Sequence, residues 1–152
     1  MSASTPQDLT PISNRYDLSP RISRIVTDQP MSTDNLIYES IGAAMEVYNH
    51  LGPGLLESIY EKAMIYELQS RGLKVSSQMP VEVKYKNVTL SSDLRLDILV
   101  EDKVIIELKS VETLMPVHFK QIRSYMKLLD ISAGVLINFN VSDFKQGYKV
   151  IK

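Results

Sequence analysis

The sequence predicts an α/β domain: a mixed β-sheet flanked by helices and preceded by a disordered N-terminal arm. Three observations carry that reading. Helical periodicity runs through residues 34–72, and period-two alternation replaces it from 73 to 110. A further helical stretch then separates these strands from a fully apolar run, "AGVLINF", of the kind expected in a sheet interior. The first 33 residues show neither period.

Residues 1–33 hold four of the seven prolines among many Ser and Thr, a composition that cannot bury a core, and read as the arm. Met31 stands just before a helix start, so an over-extended start ahead of it is one expectation for this end. Residues 34–152 form the expected domain. Its first helix is capped by Thr33 or Asp34, repeats apolar residues at Ile37, Ile41, Ala44, Met45 and Tyr48, and stops at Gly52. Pro53 suits the first turn of a second helix, "PGLLESIYEKAMIYELQSRG", which ends at Gly72 and has apolar positions on more than one stripe, as a well-buried helix would.

Short strands with a Lys86-Asn87 turn follow, then two stronger ones, Leu94–Val100 and Val104–Leu108. Pro116 opens a helix with Val117, Ile122, Tyr125, Met126 and Leu129 inward. After "AGVLINF", the tail "DFKQGYKVIK" reads as a turn or short helix and an edge strand. The expected order is α-α-β-β-β-β-α-β, with a last strand at the edge.

Bulk composition narrows the function classes. A chain of 152 residues supports one domain with a real core. A net charge of −1 gives no global pull toward nucleic acid or membrane, although six Lys and Arg stand against two Asp after Thr113, making the last third locally basic. There is no cysteine, which excludes disulfides, thiolate zinc sites and cysteine nucleophiles, and two histidines exclude a histidine-rich metal site. No apolar run reaches membrane-spanning length and the N-terminus lacks a signal-peptide core, so the expected address is the cytoplasm, with no membrane partner.

The stretch "DILVEDKVIIELKS", residues 97–110, carries acids and a lysine inside apolar runs. Alternation puts Leu94, Leu96, Ile98 and Val100 on one face of a strand, with Arg95, Asp97 and Leu99 on the other. In the next strand Val104, Ile106 and Leu108 oppose Ile105, Glu107 and Lys109. The apolar faces coincide only across an odd loop, so a three-residue turn, Glu101-Asp102-Lys103, pairs Val100 with Val104. Ile98 then faces Ile106, Leu96 faces Leu108, and Asp97 faces Glu107. Opposed Cβ atoms lie about 4.5–5.5 Å apart, where like charges repel. Two explanations stand level at this point: a four-charge salt-bridge patch with Arg95 and Lys109, or a divalent cation held between the carboxylates.

Asp97 followed across a turn by Glu107-Leu108-Lys109 resembles the PD-(D/E)XK nuclease signature. Upstream, Gly54-x-x-Glu57-x-x-Tyr60 within "LGPGLLESIYEKA" resembles the GxxExxY protein family, a group within that superfamily, as does the distal "LINF". The resemblance spans roughly residues 35–150. It departs from the signature where Leu96 replaces the proline before the aspartate. It implies a restriction-endonuclease-like core and hydrolysis of phosphodiester bonds in nucleic acid, with DNA the expected polymer. It implies further that Glu57, Asp97 and Glu107 hold Mg²⁺ (Mn²⁺ substituting), that the Leu108 carbonyl adds a ligand, and that Lys109 positions or deprotonates the attacking water. Gln121, with Tyr125 four residues on, matches the glutamine and tyrosine that many members place on the helix after the signature.

Other residues keep two readings. Tyr60 supports the site or packs in the core; Glu61 is a surface residue or a substitute ligand; Gln78 is placed to reach substrate by position alone. His118 faces phosphate or solvent. Lys120, Arg123 and Lys127 form one helical stripe, for phosphates or for water. The rival functions are a nucleic-acid-binding or protein-interaction module with the same fold and no turnover, and a purely structural protein. A homodimer is a further expectation that no sequence feature selects.

Overall fold

The computed structural model describes residues 29–152. The greater part of the expected arm, residues 1–28, lies outside the described residues. Helix α1, Thr33–Leu51, is capped by Ser32, whose hydroxyl accepts the Asn35 N–H at 3.2 Å. The cap therefore falls one residue before those expected, because Ser32 is still extended and its side chain is free to turn back.

Helix α2 spans Glu57–Ser70 and does not begin at Pro53. Gly54 has a φ of +97°, a conformation closed to a helix and open to glycine, so residues 53–56 form a loop that delivers Glu57 to the first helical turn. Only Tyr60, Met64 and Leu68 of α2 are fully buried, one stripe at four-residue spacing, while Leu56 and Tyr66 are exposed. The broad burial expected of this helix is not found, since its outer side faces water.

Strand β1, Val75–Tyr85, and strand β2, Val88–Val100, form a long hairpin about the expected Lys86-Asn87 turn. The two strands expected over residues 88–100 are one continuous strand. Strand β3, Val104–Lys109, pairs antiparallel with β2 and parallel with β4, Ala133–Asn138; β5, Tyr148–Ile151, closes the far edge antiparallel. The sheet is mixed, five-stranded, in order β1-β2-β3-β4-β5.

Helices α1 and α2 cover one face, packing with Ile98, Val100, Val104, Ile106, Leu108, Val135 and Ile137. Helix α3, Pro116–Leu129, covers the other with Ile122, Tyr125 and Met126 over Leu99, Ile105 and Leu136. It lies close: a Cβ on Gly134 would sit 2.8 Å from Ile122 Cδ1. Val117, expected inside, is exposed. The architecture is α/β, consistent with a restriction-endonuclease-like core. Among the described residues no helix is long and apolar enough to cross a membrane.

Candidate active site

The β2–β3 register follows the three-residue turn: Val100 pairs with Val104, Leu99 with Ile105 and Ile98 with Ile106. There regular pairing ends. Asp97 N–H donates to Glu107 Oε1 at 3.3 Å, and Leu108 N–H donates to Asp97 Oδ2 at 2.7 Å. Each strand's amide is met by the other strand's carboxylate. The expected facing of Leu96 and Leu108 does not occur, because Leu96 packs on the α3 side and Leu108 on the α1/α2 side.

Glu107 is only 2% exposed. Burial first, and then the charge of Asp97, push its carboxyl up to about 8, with Lys109 pulling the other way. None of the ion pairs among the described residues includes Arg95, Asp97, Glu107 or Lys109. The four-charge patch therefore does not form, and the acid pair keeps its mutual repulsion.

The Gly-x-x-Glu-x-x-Tyr spacing has a structural account. Tyr60 is fully buried, stacked on Phe139 with centroids 4.2 Å apart and planes within 6°. Its hydroxyl donates to Gly52 O at 2.5 Å and accepts the Leu55 N–H at 3.2 Å, tying down the loop ahead of Glu57. Tyr60 is a core residue, and its hydroxyl bonds to the loop that precedes Glu57. Glu57 Oε1 accepts the Ser110 N–H at 3.3 Å, one residue beyond Lys109, and Ser110 Oγ donates to Leu55 O at 2.6 Å.

The next turn of α2 brings a second acid. Glu61 is half-buried and takes a hydrogen bond from Gln78 Nε2 at 2.6 Å. Partial burial and, less strongly, the charge of Asp97 raise its pKa, against the lowering effect of the Gln78 amide. Asp97 thus acts electrostatically on Glu107 and on Glu61.

On α3, Gln121 Nε2 donates to Tyr125 OH at 3.3 Å, the contact their four-residue spacing allows; Tyr125 is buried and Gln121 half-buried. His118 Nδ1 accepts the Met115 N–H at 3.0 Å and serves as a helix cap. Lys120, Arg123 and Lys127 are exposed.

Sequence reasoning missed Ser110 and Asn138. Asn138 is 2% exposed and brackets Val111, accepting its N–H at 3.0 Å and donating to its carbonyl at 2.8 Å. A lone amide in an apolar strand run was the available signal. Ser110 carried none, since nothing local marks a serine that bonds to a loop 55 residues earlier.

Asp97, Glu107 and the Leu108 carbonyl are hard oxygen donors that suit Mg²⁺ or Mn²⁺, ions that retain several waters. A buried carboxyl that keeps its proton to about pH 8 is also one that a cation would displace that proton from. The residues present fit a divalent ion, although among the described residues no three His, Asp or Glu side chains converge on one point. Residues 34–151 match a family model described as the PD-(D/E)XK nuclease superfamily. No curated protein and no solved structure gives a match.

Proposed function

This chain belongs to the PD-(D/E)XK nuclease superfamily, and from that we propose that it is a metal-dependent nuclease hydrolysing phosphodiester bonds, with DNA the favoured polymer and Mg²⁺ the favoured ion. Within the superfamily we assign it to the GxxExxY group, on Gly54, Glu57 and Tyr60. The observation that carries the reading is the Asp97–Glu107 pair: two carboxylates forced together at the end of regular pairing, one buried, neither in an ion pair.

Asp97 and Glu107 would hold the ion with the Leu108 carbonyl, and Glu57 would reach it from the start of α2. The ion, when bound, supplies acidified water and neutralises charge on the phosphoryl oxygens. Lys109, whose positive charge already acts on Glu107, would orient the attacking water and offset charge on the phosphate through its ammonium group. Water adds to phosphorus and gives its proton to bulk solvent, the ester P–O bond breaks, and the leaving oxygen takes a proton from a solvent water. Gln121 contacts the substrate from α3, braced by the buried Tyr125 whose hydroxyl accepts its amide, and Lys120 and Arg123 meet the phosphates. His118 assists from the N-terminal turn, and its cap bond to Met115 leaves that role to its other ring nitrogen. We assign the protein to the cytoplasm, and a homodimer is the assembly to test.

The test is Asp97→Asn and Lys109→Ala against a panel of DNA and RNA substrates with Mg²⁺ or Mn²⁺. Each variant loses about 10²–10⁴-fold in rate at unchanged melting temperature. A wild type that cuts nothing and binds no divalent ion ends the catalytic reading. A second reading, a nucleic-acid-binding module without turnover, is favoured by the bond of Glu57 to Ser110 and by the lack of three converging acids among the described residues. Its signature is a salt-dependent affinity that survives removal of Asp97 and Glu107.

A further inference from the structure

Gln78 occupies an unusual place in β1. The flanking pairs, Ser77 with Ile98 and Met79 with Leu96, set it directly across from Asp97. Its φ is +50°, the left-handed region, in the interior of a strand. The hairpin changes layers here: Val75, Ile98 and Val100 pack toward α1 and α2, whereas Met79, Val81 and Leu96 pack toward α3. A left-handed residue accomplishes that switch, but glycine or asparagine would do so at lower cost, since other residues lose about 1–3 kcal/mol in sparsely populated backbone regions. The architectural need therefore does not account for a glutamine. What glutamine adds is reach, because its amide meets the Glu61 carboxylate on α2 at 2.6 Å.

Resting on the metal-dependent reading above, we infer that Gln78 is a positioning residue: its side chain holds the Glu61 carboxylate toward Asp97, so that Asp97 stands between Glu107 and Glu61. The left-handed backbone is what aims the amide at α2. Without that hold Glu61, half-buried and at the edge of the site, is free to swing to solvent, and the negative field that draws a cation to Asp97 weakens. Gln78 touches neither water nor phosphate in this role and acts through Glu61 alone.

A double-mutant cycle on the full chain reads this out, with Mn²⁺ affinity measured by calorimetry and melting temperature alongside. Gln78→Gly suits the left-handed backbone, so its melting temperature holds or rises while Mn²⁺ affinity falls several-fold as the Glu61 carboxylate is released from its place near Asp97. Glu61→Gln gives a similar loss, and the double variant loses no more than Glu61→Gln alone. Gln78→Asn, which tolerates the backbone but has a shorter amide, separates reach from conformation by losing affinity too. Additive losses, or a loss that only follows the melting temperature, overturn the inference. So does full affinity in Gln78→Gly when the wild type binds Mn²⁺. A wild type that binds no Mn²⁺ overturns the metal reading first, and this inference with it.

Discussion

The two ends of the β2–β3 hairpin come from one alternating sequence and are built differently. At the closed end Val100, Leu99 and Ile98 pair in regular register with Val104, Ile105 and Ile106, and all six side chains are buried. One step further, Asp97 and Glu107 cap each other's strands with carboxylates, and a buried acid holds a proton it would give up in water. The closed end is optimised for packing and the open end for charge. The contrast teaches that the stability of this hairpin is concentrated on one side of Asp97 and its strain on the other, an arrangement common where local cost serves function.

Two adjacent residues of β3, Ile106 and Glu107, should separate the two ends by the largest margin. Ile106→Ala should cost about 2–5 kcal/mol in urea unfolding, with activity lost only in proportion to the unfolded fraction. Glu107→Leu should do the reverse. Leucine removes the cost of burying the carboxyl beside Asp97 and leaves the Asp97 N–H without an acceptor, a loss of about 1–3 kcal/mol, so stability should change little while catalysis disappears. If Glu107→Leu destabilises as Ile106→Ala does, the open end is structural.

Acid–base linkage acts at the open end and not at the closed one. Glu107 is raised from its ordinary value to about 8 in the folded chain, so between roughly pH 4.5 and 8 the native state keeps a proton that the unfolded state has released. Stability from this group is therefore full at low pH, falls as pH rises through that window, and levels off above it. The total loss is on the order of a few kcal/mol. Glu107→Gln should flatten the profile in thermal melts from pH 5 to 8.5. Mn²⁺ should restore melting temperature at pH 8 in the wild type and not in the variant.

A smaller effect tests what anchors the site from the other layer. Tyr60→Phe keeps the stack on Phe139 and deletes the hydroxyl between Gly52 O and Leu55 N–H. The cost should be about 1–3 kcal/mol, since Leu55 N–H and Gly52 O lose their partner. If this loop positions Glu57, kcat should fall several-fold more than the stability change explains. An unchanged kcat would mean that the loop serves the fold alone.

These residues also show what the sequence could and could not convey. The Val100–Val104 register was legible because alternation and an odd turn admit one solution. The helix stops at Gly52 and Gly72 and the Lys86-Asn87 turn were legible as local chemistry. The layer switch at Gln78 was not, because glutamine is not a turn residue and its backbone is set by tertiary packing on both faces. For the same reason Leu96 was assigned to the wrong layer by simple alternation. The start of α2 was misread because Pro53 suits a helix start, whereas Gly54 beside it adopts a conformation that no helix contains. Asp97 and Glu107 were legible as a pair, whereas Glu61 and Ser110 depend on contacts across 17 and 55 residues of sequence.

The smallest effect expected concerns the outer surface of α3. Ile122, Tyr125 and Met126 face the sheet, which turns Lys120, Arg123 and Lys127 outward as one exposed stripe. If the stripe meets phosphates, each cation releases condensed counterions on binding, and affinity should fall steeply with salt. Lys120→Ala or Arg123→Ala should then reduce the slope of log K against log salt by about one each and weaken binding alike across sequences. Folding stability should move by no more than about 0.5 kcal/mol, since both side chains are solvated. Fluorescence anisotropy on a labelled duplex between 50 and 200 mM salt, roughly the range in which such slopes are resolved, measures this directly. An unchanged slope in both variants would return the stripe to the ordinary solvated surface of a helix.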